Sequence, residues 1–224
     1  DASVVDGGQT VAGFDQPVRV SGLAYGPADV QQWGVSARQV DFFDVKGDVE
    51  ALLAPRQARF EAFEHPAFHP GRCAQVWVGD VAVGVVGELH PKWRQAYDLP
   101  QAPVLFELDA QILAQRGVPA FTCVPKMQSV FRDLALVVTD ATSHDSVIAA
   151  INQAATGGLV RGARLFDIYK PKTPVAGMAD NERSLAVRIE LRDDEQTLND
   201  ERIDQSIKQV IEAVAQSVGG RVRA

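Results

Sequence analysis

The sequence predicts an α+β protein of two successive modules, each an antiparallel sheet with helices packed on it. Three observations carry that expectation. Runs that alternate apolar with polar residues, or that are rich in β-branched residues, recur along the chain, as strands require. In the second half, two helical stretches interleave with three such strands. Between the halves, "RGVPAFTCVPKMQS" (116–129) carries Pro119 and Pro125, which interrupt any regular element. The first module is therefore placed at residues 1–120, a linker at 121–128 and the second module at 129–224.

In the first module, "PVRVSGLAYG", "ARFEAFE", "CAQVWVGDVAVGVVGEL" and "PVLFELD" read as strands. Gly79-Asp80 separates two strand-like runs within the third, which is a hairpin signal. "VDFFDVKGDVEALLA" predicts a helix beginning near Asp44. "HPKWRQAYD" predicts another, with Pro91 at a favourable first-turn position. "HPAFHPG" reads as turn. His65 and His69 are four apart, but Pro66 and Pro70 forbid the helix that would align them, so His65, His69, Cys73 and His90 are not assigned to a metal.

The second module is more regular. "FRDLALVV" (131–138) is a strand, and Ser143 caps a helix that buries Val147, Ile148 and Ile151 and ends at Gly157-Gly158. "RLFDIYK" and "SLAVRIEL" (184–191) are the next strands. Asn199 caps a long helix with Ile203, Ile207, Val210, Ile211, Val214 and Val218 at helical spacing, Gly219 stops it, and "RVR" is a short last strand. The order is βαββαβ, the ferredoxin-like arrangement, with both helices on one sheet face. With Phe166, Ile168 and the alternating Leu185, Val187, Ile189 and Leu191 turned to the helices, the open face receives Asp167, Tyr169, Ser184, Ala186 and Arg188.

Composition narrows the function classes. The 224 residues are 46% apolar, ample for buried cores. No apolar run approaches the roughly 18–20 residues that cross a bilayer, and "DASVVDGGQT" has no signal-peptide pattern. There is no initiator Met, so the chain is expected to be part of a longer one. Two cysteines, Cys73 and Cys123, form no disulfide framework and fit reduced thiols in the cytoplasm. The net charge of -7 argues against a generally basic nucleic-acid protein, and no DNA partner is expected. One island departs from it: between 161 and 192, seven basic residues (Arg161, Arg164, Lys170, Lys172, Arg183, Arg188, Arg192) face four acids.

No Gly-x-Gly occurs and no Gly-Lys-Ser/Thr loop, which removes the dinucleotide fingerprint and the phosphate loop. "GVVGEL" (84–89) lacks the loop's lysine, and the contiguous Ser143-His144-Asp145 is a helix cap rather than a triad. No catalytic residue is assigned. On the open face, Tyr169 offers a plane for a base to stack on, and Asp167 can accept from the Watson–Crick edge of an unpaired guanine. Lys170, Lys172, Arg183 and Arg188 are placed to take a phosphate backbone. Two other readings stay open: a regulatory module binding a small metabolite, and a face that only docks another subunit. The first would favour a glycine-rich strand–helix turn, and "VVTDATSHDS" contains no glycine.

"VDFFDVKGDVEALL", "HPAFHPGRCA", "VGVVGELHPKW", "FRDLALVV", "RLFDIYK" and "SLAVRIELRDDEQTLNDERI" occur in this order. Together, from about Trp33 to the end, the chain resembles the C-terminal part of the bacterial phenylalanyl-tRNA synthetase β subunits. The resemblance implies that the first module is class II synthetase-like but inactive, and that the second is a ferredoxin-fold anticodon-binding domain. It implies Asp167, Tyr169 and Ser184 as the residues that meet the anticodon of phenylalanine tRNA, which begins with guanine. The implied partners are a catalytic α subunit, in an α2β2 enzyme, and phenylalanine tRNA. ATP and magnesium would serve the whole enzyme, with no cofactor, metal or editing residue in this chain. The loop 170–183 is longer than the family pattern leads one to expect, which bears on the placement of Ser184.

Overall fold

The structure, a computed structural model, describes residues 16–115, 121, 124–171, 173 and 175–223. Lys172 and Cys123 lie outside the described residues. The chain divides into two compact units, Asp1–Phe121 and Thr122–Ala224.

In the first unit five strands, β1 (Arg19–Ala24), β2 (Ala58–Ala62), β3 (Phe68–Val78), β4 (Val81–Leu89) and β5 (Val104–Asp109), form one antiparallel sheet in the order β1-β5-β4-β3-β2. Helix α1 (Phe42–Leu53) packs Val45, Val49 and Leu53 with Val76, Val86 and Leu108 of the sheet. The helix starts at Phe42 rather than near Asp44, because the Asp41 carboxylate caps the N–H groups of Phe43 and Asp44 while Asp44 accepts from the Asp41 N–H. Arg38 forks onto Asp44 at 2.7 and 2.6 Å and holds its carboxyl down to about 2. The hairpin at Gly79-Asp80 joins β3 to β4.

One expectation fails here. Phe68, His69, Pro70 and Gly71 of "HPAFHPG" are strand, the first residues of β3. Pro70 is tolerated because the β3–β4 register is broken between Phe68 and Cys73, so no partner there needs its missing N–H. After α2 (Pro91–Ala96), a helix absent from the sequence reading, α3 (Ala110–Ala114), follows β5, started by the Asp109 side chain.

The second unit runs β6 (Val130–Thr139), α4 (His144–Asn152), β7 (Val160–Tyr169), β8 (Glu182–Leu191), α5 (Asp200–Val218), β9 (Arg221–Val222). Its antiparallel sheet has the order β7-β8-β6-β9, the ferredoxin-like arrangement. Leu136, Leu185, Val187 and Ile189 meet Val147 and Ile151 of α4 and Ile203, Val210 and Val214 of α5 in a core closed on one sheet face. Asn199 caps α5, and Gly219 ends it at φ 66, a left-handed position that glycine takes without a Cβ clash. Helix α4 stops at Asn152, short of Gly157-Gly158; those two glycines, at φ 65 and 80, turn the chain into β7.

Gly84 in β4 has no room for a side chain: a Cβ there would stand 2.0 Å from the Glu107 carbonyl and 2.8 Å from the Leu108 Cα. Backbone atoms of a paired strand cannot step aside. Gly84→Ala is therefore expected to cost the first unit about 1–3 kcal/mol or more, read as a fall in its melting temperature. An unchanged melt would contradict the close approach of β4 and β5.

Candidate nucleic-acid interface

The face of the second sheet opposite the helices carries the residues singled out in the sequence, and β7 decides which of them reach it. Ala163 and Leu165 pack into the helix-side core. Strict alternation from Leu165 would carry Asp167 and Tyr169 to that same buried side. It does not, because β7 holds one extra residue. Leu165 pairs with Val187, but Asp167 pairs with Ala186, Ile168 with Leu185 and Tyr169 with Ser184. Phe166 is the unpaired residue of a β-bulge.

The bulge corrects the sequence reading of Phe166. It is not turned to the helices; it is 55% exposed, and the Arg188 guanidinium lies 5.4 Å from its ring centre, on the open face. Ile168 is in register with buried Leu185, yet it is 52% exposed. Asp167 and Tyr169 keep the face assigned to them, for a different reason.

Tyr169 reaches far across that face. The Arg223 guanidinium sits 4.5 Å from its ring centre, although β9 and β7 are the two edges of the sheet. Three strand spacings, about 14 Å, separate those edges, so the two side chains extend toward each other over β8 and β6. Their span lies above Ser184 and Val137, which are 3% and 1% exposed on the nominally open side. Ser184 is thus at the floor of the face rather than on its surface. A second tie runs alongside: Arg221 donates to both oxygens of Glu182, at 2.6 and 2.7 Å, and the Ala179 N–H donates to Glu182 at 2.8 Å. These bonds hold the Glu182 carboxyl down to about 2.

The four cations expected along a backbone do not act together. Arg188 is forked onto Asp133 at 2.8 and 2.7 Å, which raises the guanidinium and lowers the carboxyl from their ordinary values. Lys170 is paired with Asp140. Arg183 alternates to the helix side, where it is half-buried and donates to the Thr142 carbonyl at 2.8 Å. Lys172 lies outside the described residues. Sequence reasoning missed Arg221 and Arg223, whose only signal was the R-V-R alternation of the last strand. It also missed Phe131, 54% exposed and two residues before Asp133 on β6. Asp167 forms no ion pair among the described residues, so an exposed carboxylate stands open on a face bordered by arginines and aromatics.

In the first unit, a cleft of about 490 Å³ is lined by Asp41, Phe43, Phe60, Arg72, Cys73 and Glu88. Arg72 and Glu88 bond each other at 2.7 Å. Burial pushes the Cys73 thiol up to about 11, leaving it a protonated thiol at neutral pH rather than a nucleophilic thiolate. His65, His69 and His90, each followed by a proline, accept a backbone N–H two residues on at Nδ1. Among the described residues, no three His, Cys, Asp or Glu side chains are grouped to hold a metal ion.

Residues 2–110 match the phenylalanyl tRNA synthetase beta chain CLM domain, and residues 125–223 match the ferredoxin-fold anticodon binding domain. The chain belongs to the phenylalanine–tRNA ligase β subunit family. The β subunit of Ralstonia nicotianae is 50% identical over 228 residues, which take in 100% of this chain and 28% of that protein. That of Cupriavidus pinatubonensis is 46% identical over 227 residues, with the same coverage. That of Chromobacterium violaceum is 46% identical over 211 residues, 94% of this chain and 26% of that protein. The chain thus spans little more than a quarter of the length of the curated relatives it matches. The anticodon-binding match favours nucleic acid over the small-metabolite reading of the second unit.

The Glu182–Arg221 tie has a sign in pH. Its carboxyl is depressed, so the stability it adds is full above the ordinary value of 4.5 and is lost as pH falls toward about 2. Glu182→Gln is expected to lower the melting temperature at pH 7 and to lower it less at pH 3. An equal loss at both would contradict the ionic tie.

Proposed function

We propose that this chain serves phenylalanine–tRNA ligase as a non-catalytic part of its β subunit. In this reading the second unit binds the anticodon of phenylalanine tRNA, and the first is a structural partner of the catalytic α subunit in an α2β2 enzyme. The enzyme would work in the cytoplasm and use ATP and magnesium on the α subunit for aminoacylation.

The observation that supports anticodon binding above all is the open Asp167 carboxylate beside Tyr169. Guanine presents two adjacent N–H donors on its Watson–Crick edge, and a carboxylate is an acceptor at both oxygens. Adenine offers a donor beside an acceptor, which a carboxylate meets with repulsion. Tyr169 would hold the base plane, a contact typically worth about 1–3 kcal/mol, and Arg221 and Arg223 would lie toward the backbone.

Asp167→Asn exchanges one acceptor for a donor. It is expected to reduce the preference for guanine over adenine at the first anticodon base by about tenfold or more, since a good bidentate pair gives about 1–3 kcal/mol of discrimination. The check is competition binding with two anticodon hairpins that differ at that base. Undiminished discrimination by the variant would remove Asp167 from base reading.

A further inference from the structure

The open face holds a second flat surface that the anticodon reading does not use. Phe166, Arg188, Asp133 and Phe131 lie beyond Asp167 and Tyr169. From Ser184 to Arg188 is four residues of β8, about 13 Å at strand rise. Phe166 and Phe131 are each more than half exposed on a sheet face that has a well-filled core behind it. The bulge adds to this arrangement, because it places Phe166 outward together with Asp167 instead of one of them inward.

The charge at this surface is compensated. Arg188 presents its guanidinium to the Phe166 ring while both of its forked bonds go to Asp133. A guanidinium held this way is fixed in orientation and matched in charge. It suits a stacking partner better than a phosphate clamp. Phe131 shares the face with Asp133, since the two are two residues apart in an unbroken β6–β8 register. Arg164, opposite Arg188 on β7, is the neighbouring exposed cation.

We propose that Phe166, with the Arg188–Asp133 pair and Phe131, forms a stacking subsite for a second unpaired nucleotide of the same RNA strand. The proposal rests on the anticodon reading and extends it. The subsite takes a base by its plane, without edge recognition, so it adds affinity and little sequence preference. Continuity with the Asp167–Tyr169 surface favours RNA over a protein partner. A peptide on this face would meet the Asp167 carboxylate, which forms no ion pair among the described residues, and the arginines Arg164 and Arg188 within one strand's length.

The test uses the full chain and an anticodon hairpin carrying the fluorescent base 2-aminopurine at each loop position in turn. Wild type should quench at two loop positions. Phe166→Leu and Phe131→Leu should each weaken hairpin binding, Phe166→Leu by about tenfold, and Phe166→Leu should release quenching at one position only. Discrimination at the first anticodon base should survive both changes. Because both rings are exposed, the variants should melt as wild type does. Intact affinity and quenching in both variants, with first-base discrimination present, would overturn the second subsite alone. Loss of association with the rest of the synthetase, with hairpin binding unchanged, would make the face a protein dock and overturn it as well. Failure of the wild-type chain to bind any hairpin would overturn the anticodon reading and the subsite with it.

Discussion

The interface depends on one unpaired residue in β7. The core requires Ala163 and Leu165 to face the helices, and the proposed anticodon contact requires Asp167 and Tyr169 to face away. Strict alternation cannot satisfy both demands, since all four residues have the same parity. The bulge at Phe166 resolves the conflict by shifting the register once, between Leu165 and Asp167. Everything downstream follows from that shift: the pairing of Tyr169 with Ser184, the reach of Tyr169 toward Arg223, and the outward Phe166 ring beneath Arg188.

A sheet face free of helices is a liability unless something occupies or protects it. Here the far end is tied by side chains that cross strands, Arg221 to Glu182 and Arg223 to Tyr169, which leave Ser184 and Val137 covered. The near end, around Phe166 and Phe131, stays open. The two ends therefore differ in kind. One is a polar, arginine-bordered surface over a buried serine, and the other is an aromatic, charge-compensated platform.

Much of this fold was legible in the sequence where local chemistry and periodicity agree. Helix α5 shows its Asn199 cap, its apolar stripe and its Gly219 stop at once. The Gly79-Asp80 hairpin and the βαββαβ order were equally plain. The misses share a cause, because each depends on a partner strand. A bulge has no residue signature at Phe166; it exists only in the pairing with β8. Pro70 reads as turn until the broken β3–β4 register removes the need for its N–H. Arg183 falls on the helix side only once β8 is seen to begin at Glu182. Asp167 and Tyr169 were placed on the open face by an alternation that the structure breaks one residue earlier.

In the proposed function, the sheet face opposite α4 and α5 receives the RNA. Titrating the isotope-labelled chain with an anticodon hairpin, and following backbone amide chemical shifts, tests it most directly. Shifts should concentrate on β7 from Phe166 to Tyr169, on Ser184 to Arg188 of β8, and on Arg221 to Arg223, while the solvent-facing sides of α4 and α5 stay unmoved. Shifts gathered on the helices, or on the first unit alone, would contradict it.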